Sequence, residues 1–237
     1  GIRAGDTYLN LPPLFVECVK VSNANIGYLI GAWGSELHNC QAINCNQGIK
    51  FYDNGGTPPH GVDPAVRPAN TCSAINCLVS GSNFGIYMYG AGNRAIGNTI
   101  TNIPDGSFGI YIENDQPTVS NYIVGNNIET EFRYETAVGI RVGESKYNTL
   151  SGNSFDLYSD SNCITFTSDT VRLQNTVIGN YNRENRTLLP QSISGDLDLR
   201  GGLRVGTSSN TVEGTIRFNS GSLQVYQSGA WRTIQVV

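Results

Sequence analysis

Asn93-Arg-Ala-Ile-Gly-Asn98 is one copy of a six-residue phrase, Cys/Asn-x-x-apolar-x-Cys/Asn, that recurs from residue 40 to residue 180. The apolar position slips by one residue in the later copies. Successive closing residues lie 32, 21, 28, 27 and 27 positions apart, and Cys18 lies 27 positions before Cys45, which suggests a degenerate seventh copy. A period in the twenties is typical of solenoids. The six clear copies are Cys40–Cys45, Cys72–Cys77, Asn93–Asn98, Asn121–Asn126, Asn148–Asn153 and Asn175–Asn180.

A second phrase of the form Gly-Ile-x-apolar alternates with the first. Its copies are Gly48–Phe51, Gly85–Met88, Gly109–Ile112, Gly139–Val142 and, with Cys in place of Gly, Cys163–Phe166. The order of the two phrases is constant while their separation varies, as expected when strands are fixed and turns accept insertions. The leucine-rich consensus is absent, and apolar residues alternate with polar ones at period two. We therefore predict an all-β fold, a right-handed parallel β-helix of about six to seven coils.

The Asn and Cys residues of the first phrase are predicted to stack at bends of the coil. Equivalent residues of neighbouring coils lie about 4.8 Å apart, so an inward Asn can bond both the backbone and the next Asn. Asn also tolerates the left-handed backbone of a tight bend. Cys40 would stack on Cys72 and Cys45 on Cys77, within the range for a disulfide. Because Asn later fills these positions, we expect small buried thiols instead, with an apolar bend stack in the early coils and a polar one in the later coils.

Composition excludes several classes of protein. The 237 residues are only 14% charged and carry a net charge of −4 without a basic run, so nucleic acid is not an expected partner. No apolar run is long enough to cross a membrane, and no signal peptide is evident. No Cys-x-x-Cys metal spacing is present, so we expect no metal and no cofactor. Free thiols suggest assembly in a reducing cytoplasm, and a chain that begins at Gly1 is expected to be a fragment or a processed product.

Three segments are expected along the chain: residues 1–15 as an N-terminal lead-in or cap, 16–185 as the β-helix, and 186–237 as a C-terminal β module. The early core is predicted to contain Val16, Val19, Val21, Ile26, Tyr28 and Ile30. Residues 53–68 form a turn-rich excursion with His60 and Asp63 as a candidate lid, although an ordinary surface loop is the simpler interpretation. The C-terminal module, with two or three short strands, cannot bury its own apolar residues. It therefore requires a partner, most simply copies of itself.

The Gly-Ile strands also indicate a binding face. The second and fourth residues of each phrase, from Ile49 and Phe51 to Ile164 and Phe166, should point inward. The residues that alternate with them should then form one outward sheet. Flat aromatic faces beside charged groups suit sugar rings. The alternative is that this stripe is buried between chains of an oligomer. The predicted substrate-binding residues are Lys50, Tyr52, Tyr87, Tyr89, Tyr111 and Arg141.

Carboxylates near the same strands are candidate catalytic groups, because glycoside hydrolysis needs two of them roughly 5–9.5 Å apart. The predicted catalytic residues are Glu113, Asp115 and Glu144. Two further acidic groups are possible, one of Asp156, Asp160 and Asp169 and one of Glu129, Glu131 and Glu135, and a lyase could use Arg141 with Tyr111. For each group, solvated surface carboxylates are the simpler interpretation. His38 and His60 form no evident Ser-His-Asp set.

The closing phrase Gly214-Thr-Ile-Arg-Phe-Asn219, followed by Leu223-Gln-Val-Tyr226 and Gly229-Ala-Trp-Arg-Thr-Ile234, is similar to C-terminal segments of bacteriophage tail fibres and tailspikes. The Asn- and Gly-rich repeat before it also resembles a tailspike body. The resemblance implies a homotrimer on the virion tail, attached through a part that precedes Gly1, which binds bacterial surface polysaccharide (capsule or O-antigen). The alternatives are a polysaccharide depolymerase, hydrolase or lyase, of the same architecture, and a secreted bacterial β-helix lyase or epimerase.

Overall fold

The structure is a computed structural model that describes residues 1–4, 13–52, 69–113, 120–130, 134–189, 216–219 and 222–233. Contacts divide the chain into two compact units, Gly1–Gly195 and Asp196–Val237. The predicted excursion at 53–68, with His60 and Asp63, lies outside the described residues. Of the predicted lead-in, Ile2–Ala4 forms the first strand, and residues 5–12 are likewise outside the described part.

The first unit is a parallel β-helix, as predicted. Each of seven coils supplies one strand to each of three parallel sheets, numbered here in chain order. Sheet A consists of β1 (Ile2–Ala4), β4 (Ile26–Ile30), β7 (Gln47–Phe51), β10 (Phe84–Met88), β13 (Phe108–Ile112), β16 (Val138–Val142) and β19 (Ile164–Phe166). Sheet B consists of β2 (Phe15–Glu17), β5 (Glu36–His38), β8 (Ser73–Ile75), β11 (Arg94–Ile96), β14 (Tyr122–Val124), β17 (Thr149–Ser151) and β20 (Thr176–Ile178).

Sheet C completes each coil. It consists of β3 (Lys20–Ser22), β6 (Gln41–Ile43), β9 (Leu78–Ser80), β12 (Thr99–Thr101), β15 (Asn127–Glu129), β18 (Ser154–Asp156), β21 (Tyr181–Asn182) and β22 (Thr187–Leu188). The last of these pairs antiparallel with β21, whereas the other sheet C strands pair in parallel. Two short helices, α1 (Asp160–Cys163) and α2 (Asp169–Leu173), flank β19 in the last coil. The handedness of the β-helix stays a prediction.

The Gly-Ile phrase forms sheet A in the register that the repeat predicts. Ile49, Ile86, Ile110 and Ile140 pair in successive coils and are fully buried. The glycine before each of them faces the core. A Cβ on Gly109 would lie 2.6 Å from the Gly139 carbonyl oxygen and 2.7 Å from Ile128 Cγ2, so no larger residue fits.

Two parts of the predicted core differ from the structure. In the last coil Ile164 and Phe166 are only half-buried. In the second coil Tyr28 and Ile30 are fully buried, but Ile26 is half-buried because its register with Gln47 and Phe84 places it on the outward face. In the first coil Val16, Val19 and Val21 are half-buried. A core residue of a solenoid is covered by the coils on both sides of it, and a terminal coil has a neighbour on one side only.

The Asn ladders predicted at the bends are present. In one column Asn98 Nδ2 donates to Asn126 Oδ1, Asn126 Nδ2 to Asn153 Oδ1 and Asn153 Nδ2 to Asn180 Oδ1, at 2.8–2.9 Å. Each Oδ1 also accepts the backbone N–H of the Asn in the preceding coil, as Asn126 does from Asn98 at 3.0 Å. The parallel column runs through Asn121, Asn148 and Asn175. The early coils place buried Cys at these corners, so the predicted change from an apolar to a polar stack is confirmed.

The predicted stacking of the cysteines is wrong. The register Gln41↔Leu78 places Cys40 beside Cys77, and the register Glu36↔Ser73 places Ser35, not Cys40, beside Cys72. The first copy of the phrase therefore lies on β6 of sheet C, whereas the later copies lie on sheet B. Both corners need a small buried side chain, so the same phrase fits either strand. All six cysteines are free thiols, and Cys18 is the exposed one.

The left-handed residue at each bend is the one before the column residue, not the column residue itself. Asn39, Asn44, Asn76, Gly97, Gly125 and Gly152 have φ values between 52° and 66° and precede Cys40, Cys45, Cys77, Asn98, Asn126 and Asn153. Cys18 has φ 57° and its N–H donates to the His38 carbonyl. It is therefore a bend residue like Asn39, so it does not complete a seventh copy of the phrase.

The second unit contains a three-stranded antiparallel sheet of β23 (Ile216–Asn219), β24 (Ser222–Gln227) and β25 (Ala230–Thr233). This agrees with the predicted hairpins. Ser228 and Gly229 both have positive φ, 52° and 78°, as the tight turn between β24 and β25 requires. Tyr226 and Trp231 pair edge to face at 5.3 Å, yet both stay half-buried.

Candidate functional site

The outward face of sheet A carries three side-chain columns that run across the coils. Register pairs Gln47 with Phe84 and Phe84 with Phe108 in one column. In the next column the register places Lys50, Tyr87, Tyr111 and Arg141 in four successive coils. A third column, just beyond the strand ends, contains Tyr52 and Glu113, and the buried Tyr89 occupies the equivalent position in the coil between them. The strands thus bring most of the predicted substrate-binding residues together on one surface.

The aromatic rings on this surface form a continuous cluster. Phe84 and Phe108 stack with centroids 5.5 Å apart and an interplanar angle of 25°. Tyr111 lies 5.3 Å from Phe108 and 5.5 Å from Tyr87. Tyr52 extends the cluster at 6.2 Å from Tyr87. All five rings of this cluster are only half-buried. They therefore present flat apolar surface to a ligand.

Lys50 lies at one end of the cluster. Its Nζ is 4.4 Å from the ring centroid of Tyr52 and 5.0 Å from that of Tyr87, which is cation–π geometry. Burial lowers the pKa of the Lys50 ammonium, and the negative charge of Glu113 partly opposes that change.

Glu113 is held beside the cluster by the phenol of Tyr87, which donates a hydrogen bond to Glu113 Oε2. Burial and this hydrogen bond raise the pKa of Tyr87 well above its usual range. Burial and the charge of Glu113 also raise the pKa of Tyr111, while the nearby Arg141 guanidinium acts in the opposite direction. Both phenols therefore stay neutral near pH 7, and Tyr87 serves as a hydrogen-bond donor that fixes the carboxylate.

The surface has two shallow, open depressions, which together are called the groove. One depression is lined by Phe84, Tyr87, Phe108, Tyr111, Glu113 and Arg141. A second depression, nearer the last coil, shares Arg141 and is also lined by Thr165, Ser161, Ser168, Asp169 and Arg172. Arg141 therefore lies where the two depressions meet, and together they run along sheet A across several coils.

Two predicted site residues do not lie in the groove, and a third is outside the described residues. Tyr89 lies one residue beyond β10 and is buried, with 6% of its surface exposed, and its carbonyl accepts a hydrogen bond from the Ala69 N–H. The centroid of its ring lies 5.4 Å from that of Tyr52, so Tyr89 contacts the aromatic cluster from its buried side. Glu144 is exposed in the turn after β16 and does not line the groove. Asp115 lies outside the described residues.

Phe84 and Phe108 belong to the face but were not predicted. Strict period-two alternation from Ile86 would point Phe84 into the core. The pairing of β10 with β13 includes Phe84 and Ile86 but not Gly85. Gly85 faces the core, as Ile86 does, so Phe84 and Tyr87 both lie on the outer side. The available signal was the repeated sequence Phe-Gly-Ile-Tyr at Phe84–Tyr87 and Phe108–Tyr111.

The other predicted acidic groups have separate partners. Arg183 bridges Glu129 at 3.2 Å and Asp156 at 3.5 Å on sheet C. Asp160 accepts hydrogen bonds from Asn182 and Asn185. Burial acts to raise the pKa of Asp160, but these hydrogen bonds outweigh it and lower the pKa. Asp169 pairs with Arg172, Glu135 is exposed, and Glu131 lies outside the described residues.

Other candidate sites lie elsewhere on the described part of the chain. A cavity of about 190 Å³ beside the last coil is lined by Ile164, Phe166, Val177 and Leu189 together with Asp160, Ser161 and Arg172. Its mainly apolar lining is typical of the end of a β-helix core rather than of a sugar-binding site. His38 bonds to Glu36 at 2.9 Å on sheet B. The described residues contain no group of His, Cys, Asp and Glu side chains suited to a metal ion.

None of the described helices has the length and apolar character needed to cross a bilayer. Neither a protein-family model nor a curated protein matches this chain. The groove on sheet A is therefore the feature of the molecule that indicates a function.

Proposed function

We propose that the protein is a trimeric phage tailspike or tail fibre that binds bacterial surface polysaccharide through the groove on sheet A. The observation that carries the proposal is the continuous, half-exposed cluster of Phe84, Tyr87, Phe108, Tyr111 and Tyr52 across three coils. Sugar rings expose apolar C–H faces and peripheral hydroxyls. Such a ligand fits flat aromatic rings that are bordered by a few charged hydrogen-bonding groups.

Binding is favoured over cleavage by the charges that line the groove. Glu113 is the one carboxylate among the residues lining the aromatic depression, and Tyr87 already donates a hydrogen bond to it. Hydrolysis by either of the usual routes requires a pair of carboxylates on opposite sides of the scissile bond. The described residues of this depression supply one, so we infer that the aromatic depression serves recognition of the sugar.

The trimeric part of the proposal is supported by the second unit. Val225, Tyr226 and Trp231 are all half-buried in a three-stranded sheet. Three strands need a covered apolar face for independent stability. Association of three copies would cover these side chains.

The test is binding of purified capsules and O-antigens from a strain panel, arrayed and probed with the full chain. Tyr87→Ala and Tyr111→Ala are each expected to weaken binding by about tenfold or more, because a well-packed aromatic contact is worth at least about 1.4 kcal/mol. Tyr122→Ala is the matched control. Tyr122 lies in the same coil as Tyr111 but on sheet B, with 45% of its surface exposed, and its loss should leave binding unchanged.

Native mass must be measured on every variant. The proposal expects three chains for the wild type and for each variant. If Tyr111→Ala reduces the number of chains, the aromatic face lies between chains and the proposed site is wrong. If no polysaccharide on the panel binds the wild type, the proposed function is wrong.

A further inference from the structure

The aromatic column of sheet A has a cation at each end. Lys50, Tyr87, Tyr111 and Arg141 occupy equivalent positions in four successive coils. Neighbouring strands lie about 4.8 Å apart, so the positions of Lys50 and Arg141 are about 14 Å apart along the helix axis. Two aromatic rings fill the space between the two positive charges.

Neither cation forms an ion pair within the described residues, although Glu113 acts on the Lys50 charge. No salt bridge joins Lys50 or Arg141 to a described carboxylate, whereas Arg183 and Arg172 both have one. Glu113 lines the aromatic depression with Arg141 and accepts the Tyr87 hydroxyl, whereas Asp169 in the second depression is paired with Arg172. The column and Glu113 together carry two positive charges against one negative charge in a chain whose net charge is −4. The groove is therefore locally positive on an acidic protein.

Burial makes the Lys50 charge costly. The ammonium lies over the rings of Tyr52 and Tyr87, and desolvation lowers its pKa. An anion placed beside Nζ would restore the electrostatic stabilisation that water no longer supplies, and it would interact more strongly there than in bulk solvent. At the other end, Arg141 lies where the two depressions meet and can present its planar fork to a carboxylate.

We propose that the groove binds an acidic polysaccharide laid along the helix axis, with sugar rings on Tyr87 and Tyr111 and carboxylates of separate sugar units at Lys50 and Arg141. The inference rests on the proposed function and adds the class of ligand and its direction. A neutral glycan would leave both cations unpaired, whereas a polyanion can pair with both in one extended conformation.

The experiment uses the same polysaccharide panel in two forms, native and carboxyl-reduced, so that chain length and linkage are unchanged while the charge is removed. Carboxyl reduction is expected to weaken binding by at least about tenfold, and raising the salt from about 0.05 M to about 0.5 M should weaken binding of the native form only. Lys50→Gln and Arg141→Gln should each weaken binding of the native polysaccharide by about five- to tenfold. Both variants should leave binding of the reduced form unchanged.

Arg94→Gln is the matched control. Arg94 is an exposed cation on β11, in the same coil as Tyr87 but on sheet B, so its removal changes the net charge equally without affecting the groove. Lys50→Arg should retain most of the binding. Equal binding of native and reduced polysaccharide, or equal effects of Arg94→Gln and Arg141→Gln, would overturn the acidic-ligand inference while the aromatic site stands. Absence of binding to either form counts against the proposed function itself.

Discussion

Replacing Asn126 with Ala should remove four buried hydrogen bonds at once. Asn126 Oδ1 accepts from the N–H and the Nδ2 of Asn98 at 3.0 and 2.9 Å, and Asn126 Nδ2 donates to the Ala95 carbonyl and to Asn153 Oδ1, both at 2.9 Å. Asn98 Nδ2 keeps its bond to Ala74, and Asn153 Oδ1 keeps the backbone N–H of residue 126. The bonds that are lost contribute about 1 kcal/mol each, and the stranded Asn98 N–H costs more. We expect a loss of about 3–5 kcal/mol in the free energy of unfolding.

Cys77→Ala is the matched comparison, because Cys77 occupies the same corner column two coils earlier and makes no Asn-to-Asn bond. Its main loss is a small buried side chain, worth about 1 kcal/mol. Urea unfolding of both variants at one protein concentration gives the two free-energy changes, and the common concentration removes any effect of association. If Asn126→Ala lowers the free energy of unfolding by no more than Cys77→Ala does, the hydrogen bonds of the Asn ladder make no net contribution to stability, and the reasoning is refuted.

Two further predictions concern the core. Gly109→Ala should lower the free energy of unfolding by about 2–3 kcal/mol, because its Cβ would lie 2.6 Å from the Gly139 carbonyl oxygen; a urea midpoint equal to that of the wild type would contradict the packing described here. Burial raises the pKa of Cys72 and Cys77 to about 11 and that of Cys163 to about 12. Since the thiolate is the nucleophile, these three groups should be only about 0.1% ionised or less at pH 8. A disulfide reagent should then modify one thiol quickly, the exposed Cys18, and the five buried thiols only after unfolding; two or more fast thiols in the native protein would show that the corners open.

The aromatic face was largely predictable because strands of fixed length repeat a fixed phrase. Once Ile86 and Ile110 point inward, Tyr87 and Tyr111 must point outward and lie one strand spacing apart. Two errors arose where the backbone departs from regular alternation. Gly85 faces the core next to Ile86, which moves Phe84 to the outer face, and Tyr89 lies beyond the end of β10, where it is buried.

The repeat of Asn, Cys, Gly and Ile by itself determined the β-helix, its buried ladder and the identity of the outward sheet. It did so because a stacked coil requires the same kind of residue at the same position in every turn. Only the tertiary structure decided which coil lies beside which. Turn length changes the spacing between phrases, so the sequence placed Cys40 on Cys72 while backbone pairing placed it beside Cys77. The groove was likewise a product of tertiary structure, since Lys50 and Arg141 are 91 positions apart in the sequence and join one column with Tyr87 and Tyr111 only when their strands stack.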